Sequence, residues 1–264
     1  MKWIRQREGL VINGGRVLLL IVLLVAWQLL SGPVLDPFFV SSPAAVWRQT
    51  TRWIADGTLW FHSAVTLEET ILGLAAGVIT GIIAGFVIGQ QRVLGKILDP
   101  FILALYSIPK VALAPLFIIW FGIGLPMKVI LAAVIVFFLI FFNTVAGVRN
   151  VDRDLIDAVR LMGGKRRDII FKVVVPSAIG WILTGLRIAI PYALIGAVIA
   201  ELIASNRGIG YLVIYSAGQF NTAGTFAALL VLTIIAVLLN AVVDLIERKT
   251  SRWKTNADTA KDVP

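Results

Sequence analysis

Six stretches of this chain, residues 17–31, 70–89, 101–121, 128–147, 179–202 and 226–246, are nearly unbroken runs of apolar side chains. About 20 such residues let a helix cross the hydrocarbon of a bilayer. In lipid every backbone N–H and C=O must be satisfied within the structure, so runs of this length read as helices and not as open strands. The first run is short, and Trp27 extends it into the interface. Composition agrees: 59% of the 264 residues are hydrophobic and 15% are charged, against roughly 25% charged in a soluble domain. Mean hydropathy is +0.92. The expected fold class is therefore all-α, a polytopic membrane protein with six transmembrane helices. Its connections leave no room for a separate soluble domain. The run at 17–31 lacks a small-residue cleavage site and reads as a retained span rather than a signal peptide.

Sidedness follows from the basic residues, which concentrate in cytoplasmic loops. Lys2, Arg5, Arg7 and Arg16 precede the first run, and Arg92 and Lys96 follow the second. Arg149, Arg153, Arg160, Lys165, Arg166, Arg167 and Lys172 follow the fourth, and Arg248, Lys249, Arg252, Lys254 and Lys261 follow the sixth. These regions alternate on one side and hold most of the 24 basic residues. Both termini are expected in the cytoplasm. The chain is expected to divide into an N-terminal tail (1–16), a six-helix domain (17–247) with a cytoplasmic loop at 148–178, and a C-terminal tail (248–264). The net charge of +9 is explained by this bias. No basic stripe with interleaved aromatics points to nucleic acid.

The loop at 148–178 carries the clearest local pattern. Leu155, Ile156, Val159 and Met162 share one helical face, Asp154 is expected to cap the start, and Gly163 or Gly164 can take the left-handed conformation that ends a helix. Pro176 is expected to start the fifth span. A short amphipathic helix of this kind either rests on anionic lipid or offers its apolar face to a partner's groove. Its spacing resembles the EAA loop of binding-protein-dependent ABC importer permeases: Glu-Ala-Ala, three residues, Gly, nine residues, Ile, one residue, Leu-Pro. Asp157, Ala158, Val159, Gly163, Val173, Val175 and Pro176 stand at those positions, with Asp, Val, Val and Val as conservative departures. Further segments resemble the nitrate/sulfonate/taurine type of that family: IPKVALAPLFIIWFGIG (108–124), FFNTVAGVRNVD (141–152), LTGLRIAIP (183–191) and AELIASNRGIGYLV (200–213). The likeness runs from about residue 60 to 250.

The resemblance implies a type I ABC importer permease in the bacterial inner membrane. Asp157, Ala158, Val159, Met162, Gly163 and Pro176 would then form the site coupled to a separate ATPase, which binds the ATP-Mg. A periplasmic solute-binding protein would face the segment between spans five and six, and two copies of the permease would form the path. The solute would be small and anionic. No cofactor is expected in this chain.

Ionisable groups inside spans usually face a partner or a cavity. Lys110, between Pro109 and Pro115, reads either as internally paired or as a cationic wall of the path. Arg187 reads as snorkelling or paired between helices, or as a solute contact. Glu201 either gates the outer mouth or packs around Asn206 and Arg207. Asn143 reads as helix glue, and Glu68 and Glu69 as solvated residues at the outer start of span two. Gly73, Gly77, Gly81, Gly85 and Gly89 put a smooth ridge on one face of span two, for packing within the chain or across a homodimer.

Chemistry of its own is not expected. The chain has one His and no Cys, so no metal site is expected, and G-x-x-x-x-G-K-[ST] is absent. The reading from a different class is a secondary transporter that needs no ATPase. That would want inverted repeats or deep intramembrane acids, and neither stands out.

Overall fold

The computed structural model describes residues 2–250, excepting the side chains of 2–11, 13, 243, 244 and 246–250. The expected tail from residue 251 onward lies outside the described residues. The described chain is helical: α1 (Lys2–Leu30), α2 (Pro37–Val40), α3 (Pro43–Ala55), α4 (Thr58–Gln90), α5 (Arg92–Ser107), α6 (Ala114–Phe121), α7 (Leu125–Arg149), α8 (Arg153–Leu161), α9 (Arg166–Ile169), α10 (Val175–Ile203), α11 (Ile209–Gly218) and α12 (Thr222–Thr250). A 3₁₀ turn at Lys110–Leu113 precedes α6, and a π turn at Ile170–Val174 joins α9 to α10.

Four helical stretches are long and apolar enough to cross a membrane: Thr58–Gln90, Leu125–Arg149, Arg166–Ile203 and Thr222–Val242. Arg92–Ser107 with Lys110–Phe121 makes a fifth if that broken pair counts as one span. The apolar part of α1, Gly14–Leu30, is shorter.

Two expectations fail here. The run at 101–121 is not one helix: it bends by 84° between α5 and the turn that leads into α6. Proline restricts its predecessor to extended backbone, and Ile108 sits at ψ 127 ahead of Pro109. Nor does Pro176 start a helix. Helical backbone runs through it from Arg166 to Ile203. The π turn before it makes this tolerable: the Val175 N–H reaches back to Ile170 O, a wider loop that eases the proline ring past the preceding turn.

The chain separates into two compact units. One comprises residues up to His62 together with Leu212–Val231. Within it, Trp27 Nε1 donates to Val40 O at 3.3 Å and the Ala44 N–H donates to Gln28 Oε1 at 3.1 Å. Ser42 caps α3, accepting from the Ala45 N–H at 3.3 Å. That helix buries Val46 and Trp53 and leaves Trp47 exposed.

The other unit, Ser63–Tyr211 with Leu232 onward, holds the core. Its centre is α7, packed by α4 on one side and α10 on another, and glycine makes both contacts close. A Cβ on Gly73 would lie 2.5 Å from Ala132 Cβ, on Gly77 2.6 Å from Val136 Cβ, on Gly81 3.0 Å from Ile140 Cβ, on Gly85 2.7 Å from Thr144 Cβ and on Gly89 2.9 Å from Val148 Cβ. Both partners advance four residues per contact in the same direction, so α4 and α7 run parallel in a constant register. The ridge thus packs within the chain. Against α10 the order reverses. Gly196 meets Ala132, Gly185 meets Asn143 and Gly147 meets Trp181 and Ala178, so α10 is antiparallel to α7. Val136, Ile140, Ala189 and Ala193 form the core between them, with Leu74, Val78 and Ile82 of α4 against it.

Candidate functional site

Helix α8 carries the residues that sequence reasoning singled out. Its N-cap is Asp152, whose carboxylate accepts from the Asp154 N–H at 2.9 Å. The expected cap, Asp154, lies inside the helix instead. The C-terminus closes as a Schellman motif. The Gly163 N–H donates to Arg160 O at 2.9 Å and the Gly164 N–H to Val159 O at 2.9 Å, with Gly163 at φ +79. That left-handed position is strained for any residue with a Cβ.

The apolar face of α8 is divided. Ile156 and Val159 pack inward on Val148, Val151, Val173, Val174 and Ala178, which belong to the bases of α7 and α10 and the segments beside them. Leu161 and Met162 point away from the chain, 90% and 87% exposed. Leu155, Ala158, Val159 and Pro176 line a groove of about 500 Å³ between α8 and the start of α10. Asp157 pairs with Arg160 at 3.1 Å on the open surface, a contact of little energetic weight. The structure therefore brings Ala158, Val159 and Pro176 together, and leaves Asp157 and Met162 facing outward.

At the other end of the same helices lies a buried charge cluster that sequence reasoning only partly anticipated. Lys128 Nζ lies 2.6 Å from Glu69 Oε1, with the two side chains 4% and 2% exposed. Lys128 also donates to Ser205 Oγ at 2.6 Å. Glu201 is fully buried. It accepts from Thr66 Oγ1 at 2.7 Å and from the Gly210 N–H at 2.6 Å, and its carboxyl faces Glu69. Thr66 Oγ1 in turn accepts from the Ile209 N–H at 2.8 Å. A Cβ on Gly208 or Gly210 would fall on the Glu201 carboxyl, so these glycines let the α10–α11 turn close over it. Glu69 is thus not the solvated residue expected; Glu68, its neighbour, is exposed. A cavity of about 640 Å³ opens beside the cluster, lined by Glu68, Glu69, Lys128, Ser205, Asn206 and Arg207.

Signs of the cluster existed in the sequence. Glu69 and Lys128 have opposite charges at the edges of two apolar runs, but their meeting depends on the parallel register of α4 and α7. Lys110 and Arg187 lie elsewhere. Lys110 Nζ donates to Leu105 O at 3.2 Å, Tyr106 O at 2.5 Å and Ile108 O at 2.7 Å. It lies 4.8 Å from the Phe138 ring centroid and 5.2 Å from that of Tyr106. The ammonium thus takes up the free carbonyls at the end of α5 where the bend breaks the ladder. Arg187 is exposed on α10. Among the described residues no group of His, Cys, Asp and Glu is arranged to hold a metal ion.

Two parallel spans against an antiparallel one, with a capped helix between them at one end, is an arrangement that known proteins share. Residues 77–253 match the family of binding-protein-dependent transport system inner membrane components. This chain belongs to that family. Among curated relatives, the permease is 32% identical over 242 residues to a putative aliphatic sulfonates transport permease protein, SsuC, of Bacillus subtilis, covering 91% of this chain and 87% of that one. It is 34% identical over 241 residues to the taurine transport system permease protein TauC of Escherichia coli, with 89% and 87% covered. It is 36% identical over 240 residues to the riboflavin transport system permease protein RibX of Chloroflexus aurantiacus, with 90% and 89% covered. Among solved structures it matches the MetNI methionine ABC transporter in an inward-facing conformation. There the TM-score is 0.61 at 21% identity, covering 76% of this chain and 97% of that one. At that identity the match speaks to the fold alone. The permease is thus an inner-membrane transport component that works with a binding protein, and its relatives' names span chemically different solutes.

Proposed function

We propose that this permease forms the translocation path of a bacterial inner-membrane ABC importer for a small anionic solute of the sulfonate, nitrate or taurine class. The chain would cross six times, with the apolar part of α1 as the first crossing and both termini in the cytoplasm. A second copy would complete the path, and a periplasmic binding protein would deliver solute. A separate ATPase would hold the ATP-Mg, since this chain has no phosphate-binding loop. Names among the relatives, aliphatic sulfonates and taurine, favour the solute class.

One observation carries the coupling. Helix α8 is anchored inward by Ile156 and Val159, while Leu161 and Met162 stand uncovered beyond it. An ATPase cleft that takes these two side chains grips a helix fixed to the bases of α7 and α10. When the ATPase dimer closes, displacement of α8 passes to those helices, and to α4 through the glycine contacts. Bound solute then meets a re-aimed cavity, with ATP binding biasing an equilibrium between two access states. Asp157, Ala158, Val159, Met162, Gly163 and Pro176 form the coupling site. Lys110, Arg187 and Glu201 are proposed to border the path.

Gly163→Val places a β-branched residue at φ +79 and should unseat the Schellman closure. The expected result is normal membrane insertion with lost stimulation of ATP hydrolysis by solute-loaded binding protein. Leu161→Asp should do the same without touching the backbone. Full stimulation in both variants refutes the docking site. A secondary transporter, the competing class, would show no co-purifying ATPase at all.

Sidedness has its own test. Arg166→Cys supplies a single thiol in a chain with none. It should resist impermeant thiol reagents in intact cells and react in inverted vesicles; reaction from outside would reverse the orientation.

A further inference from the structure

Beside α8, a second cavity of about 630 Å³ is lined by five arginines. Arg92 is the first residue of α5, Arg149 the last of α7, Arg153 and Arg160 lie on α8, and Arg166 is the first of α9. The apolar floor includes Val148, Val151, Ile156 and Val174, and no carboxylate lines the cavity. Among the described residues Arg160 alone of the five has an ion-pair partner, Asp157 on the outer surface. Arg92, Arg149, Arg153 and Arg166 make none. Room is made for one of them: Gly95 is buried, and a Cβ there would fall on the Arg149 guanidinium.

A cytoplasmic bias of charge asks only that basic residues lie somewhere in the loops. It does not ask four separate elements to bring guanidinium groups around one concavity, where they repel one another until an anion enters. Guanidinium presents a planar fork that matches phosphate oxygens in pairs. The cavity also begins where α4 and α7 end their apolar runs, at Gly89, Gln90, Val148 and Arg149, the depth at which lipid phosphates lie.

We propose that this cavity binds a phosphate group, supplied either by the headgroup of an anionic phospholipid in the adjoining leaflet or by a free phosphate compound. Basic pockets between transmembrane helices at this level have the chemistry for such headgroups. The assignment to the inner leaflet rests on the sidedness proposed above. The phosphate site itself does not.

The test uses the permease purified with its ATPase in uncharged detergent. Phosphatidylglycerol or cardiolipin is added, with phosphatidylcholine as the neutral comparison, and retained lipid is counted by native mass spectrometry. A parallel arm adds inorganic pyrophosphate. Wild type should retain anionic lipid over phosphatidylcholine. Arg149→Gln with Arg166→Gln should reduce retention about tenfold, the factor for losing a charge-assisted contact. Gly95→Leu, which displaces Arg149, should act in the same direction, whereas Arg48→Gln with Arg52→Gln on α3 should change nothing. Pyrophosphate binding that needs the same arginines, without lipid retention, supports the site and assigns it to a free phosphate compound. Equal lipid retention in the Arg149/Arg166 variant, with no arginine-dependent pyrophosphate binding, overturns the proposal. So does loss of ATPase co-purification with lipid retention unchanged, which would give the arginines to the protein partner. Reversed thiol labelling at position 166 would refute the sidedness while leaving arginine-dependent retention intact, so the two readings fail separately.

Discussion

Lys128→Met is expected to leave a permease that inserts but loses its heat stability in detergent. The substitution removes the ammonium 2.6 Å from Glu69 Oε1 and leaves that carboxylate buried beside Glu201 with no cation near it. Breaking one side of a buried ion pair costs about 3–5 kcal/mol, because the remaining charge keeps its desolvation penalty without its partner. Ser205 Oγ loses a donor at the same time. The turn between α10 and α11 should loosen with it, since Glu201 holds the Gly210 N–H and Thr66 holds the Ile209 N–H. The measurement is the fraction of monodisperse protein after a graded heat step, followed by size exclusion. Replacing both partners, Lys128→Met with Glu69→Leu, should recover most of the loss, since an apolar pair of similar volume carries no desolvation cost. Wild-type heat stability in the single variant would show that the pair does not hold the helices together. Solute specificity separates this role from the path: a purely structural cluster changes the yield of folded protein, while a path residue changes uptake per folded molecule.

How much of this was legible depends on whether a feature is local. Gly163 could be read as a helix terminator because the requirement for positive φ is met or failed by one residue and its two neighbours. The N-cap was misplaced by two positions because Asp152 and Asp154 offer the same carboxylate, and only the extended backbone at Asp152, φ −60 and ψ 124, decides between them. The glycine spacing in α4 was legible as a ridge, but not its partner. Nothing in residues 73–89 names α7, although Ala132, Val136, Ile140, Thr144 and Val148 carry the matching step of four. Lys110 was visible as a cation between prolines, yet the 84° bend and the carbonyls it exposes are tertiary facts. Glu69 and Lys128 were read as interface charges because hydropathy scores each run alone. Two charges that look solvated at the edges of separate helices become a buried pair once the register aligns them.

That register also predicts the largest effect of a single substitution in the core. Gly77→Leu should abolish recovery of folded permease. A Cβ at 77 would lie 2.6 Å from both Ala133 O and Val136 Cβ, closer than real Cβ atoms approach. One of these neighbours is backbone of α7 and cannot rotate away, so the helices must separate. Separation would open the contacts of Gly73, Gly81 and Gly85 as well, because all lie on the same ridge. Packing is the main force between helices in lipid, where there is no hydrophobic gain from association. Even Ala at 77 overpacks the site, at a cost of about 1–3 kcal/mol. Gly89→Ala should be milder, since its Cβ would meet only the Val148 side chain, at 2.9 and 3.0 Å. Gly15→Leu meets nothing within 4 Å and gains helix propensity, so it should be silent. The expected order of heat stability in detergent is therefore Gly15→Leu, Gly89→Ala, Gly77→Ala, Gly77→Leu, from wild-type-like to unrecoverable. If Gly77→Leu purifies with parental stability, α4 and α7 are not in this register, and the Lys128–Glu69 pair, which depends on the same alignment, falls with it.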